Sequence, residues 1–321
     1  MWIDIVAVLG GFALLLWGAD RFVIGAAATA HNLGVSHLLI GLTIVGFGTS
    51  APEILVSVNA SANGNAGLAI GNALGSNIAN IALILGLTAI VVPLTVRSQT
   101  LNREMPVLLA VTLLTLLPFL DGSLDRLEGF ALIAGLGLML YWLVKVEVSS
   151  RDSDPMLADL DAEIPVDMSM VKAVGWLLVG LAVLLAASWL LVWGAVRIAV
   201  ALGVSDLIIG LTIVATGTSL PELAASMAAA LKGEHDLAIG NVIGSNMYNL
   251  LAVLGVAGAI SPGPFEAEVL SRDFPVMIGL TVVLFAMAYN VNDHGEINRV
   301  EGAALFAVYI GYIAILTLGV L

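Results

Sequence analysis

Long apolar runs fill this chain from end to end, separated by short polar punctuation. A membrane-spanning helix needs about 20 mostly apolar residues. Ten runs meet that length: 2–30, 36–62, 66–93, 104–120, 126–146, 170–201, 205–231, 236–260, 272–290 and 300–321. Between the fifth and sixth lies EVSSRDSDPMLADLDAEIPVDMS, which has two prolines and little apolar periodicity and reads as a loop. The pattern predicts an all-α polytopic membrane protein of ten transmembrane helices. Its units are a first five-helix bundle (1–146), an acidic loop (147–169) and a second five-helix bundle (170–321).

Two runs in each half carry polar residues in their interior, and these residues recur. GLTIVGFGTSAPEILVS begins at Gly41 and GLTIVATGTSLPELAAS at Gly210, an offset of 210 − 41 = 169. GVSHLLIGLTIV at Gly34 returns as GVSDLIIGLTIV at Gly203, and LAIGNALGSNIANI at Leu68 as LAIGNVIGSNMYNL at Leu237, with the same offset. The chain is therefore an internal duplication. Five helices per copy is an odd number, so the second copy enters the membrane with opposite orientation. That is the inverted-repeat plan, which places a transport site near the midplane on broken helices.

Composition agrees. The chain is 60% hydrophobic and 11% charged, where a soluble domain averages about 45–50% and about 25%. There is no cysteine, which removes disulfides and thiolate metal sites. The net charge of −13 owes much to the seven acids between Glu147 and Asp167. That segment lacks EF-hand spacing and reads as a solvated linker. No basic tract points to nucleic acid. The N-terminus has no charged n-region and reads as a first spanning helix rather than a signal peptide. With the N-terminus outside, eight of the 11 Lys and Arg face inward and three face outward. This favours a cell (inner) membrane protein with both termini outside.

The motifs carry the chemistry. Pro52 has no N–H, so the carbonyl at Gly48 loses its helical partner, and Gly46 and Gly48 resist unwinding little. Carbonyls near Gly46–Thr49 then become hard oxygen ligands, and Pro221 does the same near Ala215–Thr218. Thr49, Ser50 and Glu53 can share one helix face, as can Ser76, Asn77 and Asn80 on the next helix. The GxxxG pairs Gly71/Gly75 and Gly240/Gly244 favour close helix approach. Ser and Thr in such helices also commonly bond back to the i−4 carbonyl. Glu53 and Glu222 are the only acids deep inside these helices, and no Lys or Arg lies near them in sequence. A carboxylate at mid-membrane costs about 2.5 kcal/mol or more, so its partner must be a bound cation or a proton. Carboxylates, hydroxyls and amide oxygens suit Ca²⁺. The motifs contain no soft ligand for a transition metal.

Two GTS-x-PE stretches and two GSN-x-x-N stretches resemble the paired alpha repeats of the sodium/calcium exchanger family, within the cation/Ca²⁺ antiporter superfamily. The resemblance implies alternating-access antiport, with Ca²⁺ leaving the cell against Na⁺ entry, and no resident cofactor. Carried over by position, the ligands would be Thr49, Ser50, Glu53, Ser76 and Asn80, then Thr218, Ser219, Glu222, Ser245 and Asn249. The carbonyls of Gly46 and Ala215 would join them. Many sodium/calcium members carry Asp at the position of Asn249, whereas some proton-coupled relatives carry Asn. The coupling ion is therefore open between Na⁺, H⁺, and K⁺ together with Na⁺. A cation channel and an intramembrane hydrolase are the competing classes. The expected partners are the ions and the lipid bilayer, and the expected state is a monomer.

Overall fold

The computed structural model describes residues 2–97, 103–151, 168–202, 215–288 and 294–318. The second GVSDLIIGLTIV copy up to Val214 and the acidic stretch 152–167 lie outside these residues.

The chain is mostly helical. Among the described residues, seven helices are long and apolar enough to cross a membrane, or eight if the bent pair His37–Thr49 and Ala51–Ala62 is one span. Two shorter apolar helices, Glu104–Phe119 and Leu220–Leu231, fall on the fourth and seventh expected spans. Labelled in order, the helices that position the site are α1 (Trp2–Leu33), α2 (His37–Thr49), α3 (Ala51–Ala62) and α4 (Ala66–Val91) in the first half. In the second half they are α7 (Met170–Ala201), α8 (Ala215–Thr218), α9 (Leu220–Leu231) and α10 (His235–Ile260). The fifth expected helix continues past Val146 to Arg151, so the acidic segment starts as helix.

Helices α4 and α10 form the centre. Their most apolar stretches are 78% and 83% buried, against 22% to 39% for the other long helices. The latter keep apolar faces outward, such as Leu127, Leu138, Val171 and Val300, as lipid-facing helices do. α1 and α7 run antiparallel along each other. Gly11, Gly18 and Gly25 face Leu191, Leu184 and Leu177 in turn, a seven-residue spacing that keeps one seam in register. The approach is close: a Cβ on Gly25 would lie 2.2 Å from the Leu177 backbone nitrogen, and one on Gly180 2.4 Å from that of Phe22. Overpacking such a contact costs about 1–3 kcal/mol. Gly25→Ala and Gly180→Ala should therefore lower the thermal unfolding temperature in detergent. Gly10→Ala meets nothing within 4 Å among the described residues and should not. Equal unfolding temperatures for all three would refute the seam.

The all-α expectation needs one correction. Leu94–Arg97 pairs antiparallel with His294–Ile297, and Ser123–Leu124 with Gly263–Pro264. Each short ladder ties a connection of the first half to one of the second. Thr95 and Val96 follow Pro93, where the chain has left the helix and β-branched residues suit an extended backbone.

The halves match in local detail. Gly64 (φ +77°) and Gly233 (φ +80°), 169 apart, turn the chain after α3 and α9. Asn65 N–H donates to Ala60 O, and Glu234 N–H donates to Ala229 O, both at 2.9 Å.

Candidate cation site

The site begins at two helix breaks. Ser50 (φ −81°, ψ 3°) separates α2 from α3, and Ser219 (φ −89°, ψ 5°) separates α8 from α9. Pro52 and Pro221 fall in the first turn after each break, a helix position that proline tolerates. The axis bends by 43° between α2 and α3.

The breaks treat the carbonyls differently from the sequence expectation. Gly46 O stays in the helix ladder, accepting from Ser50 N–H at 3.0 Å, so only its second lone pair is available to an ion. Pro221 does release the Gly217 carbonyl, but the Ser188 hydroxyl of α7 caps it at 2.9 Å. At the second break Ser219 N–H bonds to Thr216 O at 3.2 Å. The buried carbonyl freed by Pro221 thus took a protein donor, as buried acceptors generally must.

The facing helices are also irregular. α4 widens to a π-helical turn at Asn80–Leu85, and α10 at Asn249–Val253. Each wide turn starts on an expected ligand. Such turns often mark functional sites, but apolar periodicity gives no sign of them. α2 has its own at Gly41–Val45.

Glycines bring α2 onto α10. A Cβ on Gly244 would lie 2.4 Å from Leu42 O, and one on Gly240 2.7 Å from Leu38 O. A Cβ on Gly46 would lie 3.2 Å from Ser245 N, so the Gly46 backbone sits beside Ser245. For Gly71 and Gly75 nothing lies within 4 Å among the described residues; the segment matching α2's GLTIV, 210–214, is outside them.

The two carboxyls meet at the centre. Glu53 and Glu222 are each 1% exposed and close enough to act on one another electrostatically. Each faces hydroxyls from the other half. Ser50 Oγ donates to Glu222 Oε1 at 3.4 Å, with Thr49 also beside that carboxyl. Thr218 lies beside the Glu53 carboxyl. Neither Glu53 oxygen completes a hydrogen bond of good geometry, and neither does Glu222 Oε2. The same is true of Asn77 Oδ1, Asn80 Oδ1, Ser219 Oγ, Ser245 Oγ and Asn249 Oδ1, all buried. Native proteins rarely leave buried polar atoms unpartnered, and here eight oxygens from carboxyls, amides and hydroxyls do so. No ion pair among the described residues involves either glutamate. Nor do three or more His, Cys, Asp or Glu side chains converge there. The donor set is two carboxylates with hydroxyl and amide oxygens, which fits a hard cation.

Ten expected ligands, all but Gly46 and Ala215, contribute side chains that are buried or partly buried. Thr49 also bonds back to Val45 O at 3.1 Å, so back-bonding and proximity to the carboxyls coexist. Asn80 Nδ2 donates to Asn246 Oδ1 at 3.0 Å, bridging the halves. Asp20 pairs with Arg21 at 3.6 Å and with Lys232 across the bundle at 2.5 Å. His37 Nδ1 sits 2.5 Å from Glu234 Oε2. Sequence reasoning missed Asn72 and Asn241, whose contacts are described below. Both stand in the quoted repeats, and their 169 offset was the available signal.

Duplicated motif helices around two buried acids, in a bundle of spanning-length apolar helices, fit the class of membrane cation transporters. A profile described as sodium/calcium exchanger protein matches residues 3–145 and 172–318. The chain belongs to the sodium/calcium exchanger family. It is 50% identical to CaxA of Alkalimonas amylolytica over 97% of this chain and 98% of that one. It is 30% identical to the sodium/calcium exchanger MaX1 of Methanosarcina acetivorans, over 98% of each chain. A solved structure of the sodium-calcium exchanger NCX_Mj superposes with a TM-score of 0.84 at 34% identity, covering 97% of both chains. Family and fold together support antiport of Ca²⁺ against another cation, with Na⁺ and Ca²⁺ as transported substrates.

Proposed function

We propose that this protein exports Ca²⁺ across the cell membrane in exchange for Na⁺ by alternating access. The cations compete for a midplane site built around Glu53 and Glu222. The observation carrying this reading is the set of buried oxygens without partners, two carboxyls among them, with no ion pair to either glutamate among the described residues. Thr49, Ser50, Ser76 and Asn80 serve the site from the first half. Thr218, Ser219, Ser245 and Asn249 serve it from the second. Gly46 offers its remaining carbonyl lone pair, and Ala215 its carbonyl. The antiparallel run of α1 and α7, first helix of each half, supports an inverted pair of five-helix units, 1–146 and 170–321. Ten spans with both termini outside then follow the charge bias of the loops.

Charge sets the exchange ratio. Two ionised carboxyls carry −2, which one Ca²⁺, two Na⁺ or two H⁺ neutralise. A site left with net charge crosses the low-dielectric interior poorly. Amides at both Asn80 and Asn249 add no third negative charge, so a second reading in which H⁺ replaces Na⁺ balances the site equally. The purified protein in liposomes decides. A Na⁺ gradient should drive saturable uptake of radiolabelled Ca²⁺ without single-channel current. Drive by a pH gradient alone would select the H⁺ reading, and Ca²⁺ flux with no counter-ion would overturn antiport.

A further inference from the structure

Asn241 of α10 is 1% exposed and touches a candidate ligand from each half. Its Nδ2 donates to Glu222 O at 3.3 Å and to Ser226 Oγ at 2.9 Å. Its Oδ1 accepts from Thr49 Oγ at 3.0 Å. A backbone carbonyl can only accept, so the amide nitrogen must face Glu222 and the amide oxygen must face Thr49. Asn72, 169 residues earlier, makes the matching contacts in the first half. Its Nδ2 donates to Glu53 O at 3.1 Å and to Ser57 Oγ at 3.3 Å. Each asparagine therefore holds the backbone of one central glutamate in the first turn after the proline break.

The Thr49 contact adds a second effect. A hydroxyl binds a cation through a lone pair, so its single hydrogen must point elsewhere. Asn241 Oδ1 is an acceptor for that hydrogen at 3.0 Å, alongside Val45 O at 3.1 Å and the more distant Gly46 O at 3.4 Å. One side chain thus aims a hydroxyl from the first half and fixes the carboxylate turn of the second.

We propose that Asn241, with Asn72 as its counterpart, is a positioning residue of the cation site, setting Ca²⁺ affinity without touching the ion. This inference rests on the reading of Glu53 and Glu222 as the ion-binding pair. A bland alternative makes Asn241 simple interhelical glue, and the two differ in what they change. Loss of positioning raises the Ca²⁺ concentration for half-maximal exchange. Loss of glue lowers the amount of folded protein or the maximal rate.

The test is Na⁺-driven uptake of radiolabelled Ca²⁺ into liposomes by full-length Asn241→Ala, Asn72→Ala, Ser226→Ala and Glu222→Gln. Asn241→Ala loses its hydrogen bonds to Glu222 O, Ser226 and Thr49 and should raise the half-saturating Ca²⁺ concentration about tenfold. Its maximal rate should stay within about threefold of wild type. Asn72→Ala, at a half-buried position with both contacts inside its own half, should give a rise of about threefold. Ser226→Ala, which leaves the amide on Glu222 O and Thr49, should match wild type. Wild-type half-saturation in Asn241→Ala, or an equal loss in Ser226→Ala, would overturn the proposal. If Asn241→Ala does not accumulate as folded protein, Asn72→Ala decides by the same measure, and wild-type behaviour there overturns it. Glu222→Gln separates the two readings. If it still exchanges Ca²⁺, the site assignment itself fails; if it is inactive while Asn241→Ala is normal, only the positioning role fails.

Discussion

Glu53→Gln and Glu222→Gln should each reduce Ca²⁺ exchange in liposomes by about a hundredfold or more. Glutamine keeps the shape and one carbonyl oxygen but removes one of the two negative charges. A divalent ion in the altered site would then sit in a buried pocket carrying a net positive charge. Breaking a buried charge pairing in this way costs about 3–5 kcal/mol, and each 1.4 kcal/mol is about a factor of ten. Folding should survive, because the hydroxyl that donates to Glu222, that of Ser50, can still donate to a glutamine oxygen. Uptake of radiolabelled Ca²⁺ by either variant at the wild-type rate would refute the assignment. Near-normal unfolding temperatures with no exchange are the expected combination.

The second large effect concerns Gly244. Its α-carbon faces Leu42 so closely that a Cβ would lie 2.4 Å from the Leu42 carbonyl oxygen and 2.8 Å from its Cα. Both obstacles are backbone, so no side-chain rotation relieves the clash. Gly244→Ala should push α2 away from α10, costing about 1–3 kcal/mol in stability. The same shift moves Gly46 off Ser245, its neighbour across this contact. Half-saturating Ca²⁺ should therefore rise together with the fall in unfolding temperature. Gly244→Leu should yield no folded exchanger. A stable Gly244→Ala protein with unchanged Ca²⁺ affinity would show that this contact does not set the geometry of the site.

Much of the architecture was legible because two strong signals coincide. Apolar runs of spanning length place the long helices, and the 169-residue offset identifies Glu53 and Glu222 as equivalent. Proline and glycine mark the breaks, and the structure puts them at Ser50 and Ser219, beside the acids. Finer features carried no local signature. The π-helical turns at Asn80 and Asn249 leave the helical apolar pattern intact. The capping of Gly217 O by Ser188 depends on a helix crossing about thirty residues upstream in sequence, which helix-face reasoning does not reach. The ladder of Leu94–Arg97 with His294–Ile297 joins segments from opposite ends of the chain. Asn72 and Asn241 stand in the duplicated repeats, but helix-face reasoning does not reach their backbone acceptors, Glu53 O and Glu222 O.

The central claim is that two buried carboxyls, with no ion pair to either among the described residues, hold the transported ion. Equilibrium Ca²⁺ binding to the purified protein tests it directly, comparing wild type with the Glu53→Gln/Glu222→Gln double variant. Wild type should bind Ca²⁺ in a manner that Na⁺ displaces, and the double variant should bind none. Na⁺-displaceable Ca²⁺ binding that survives in the double variant would contradict the claim.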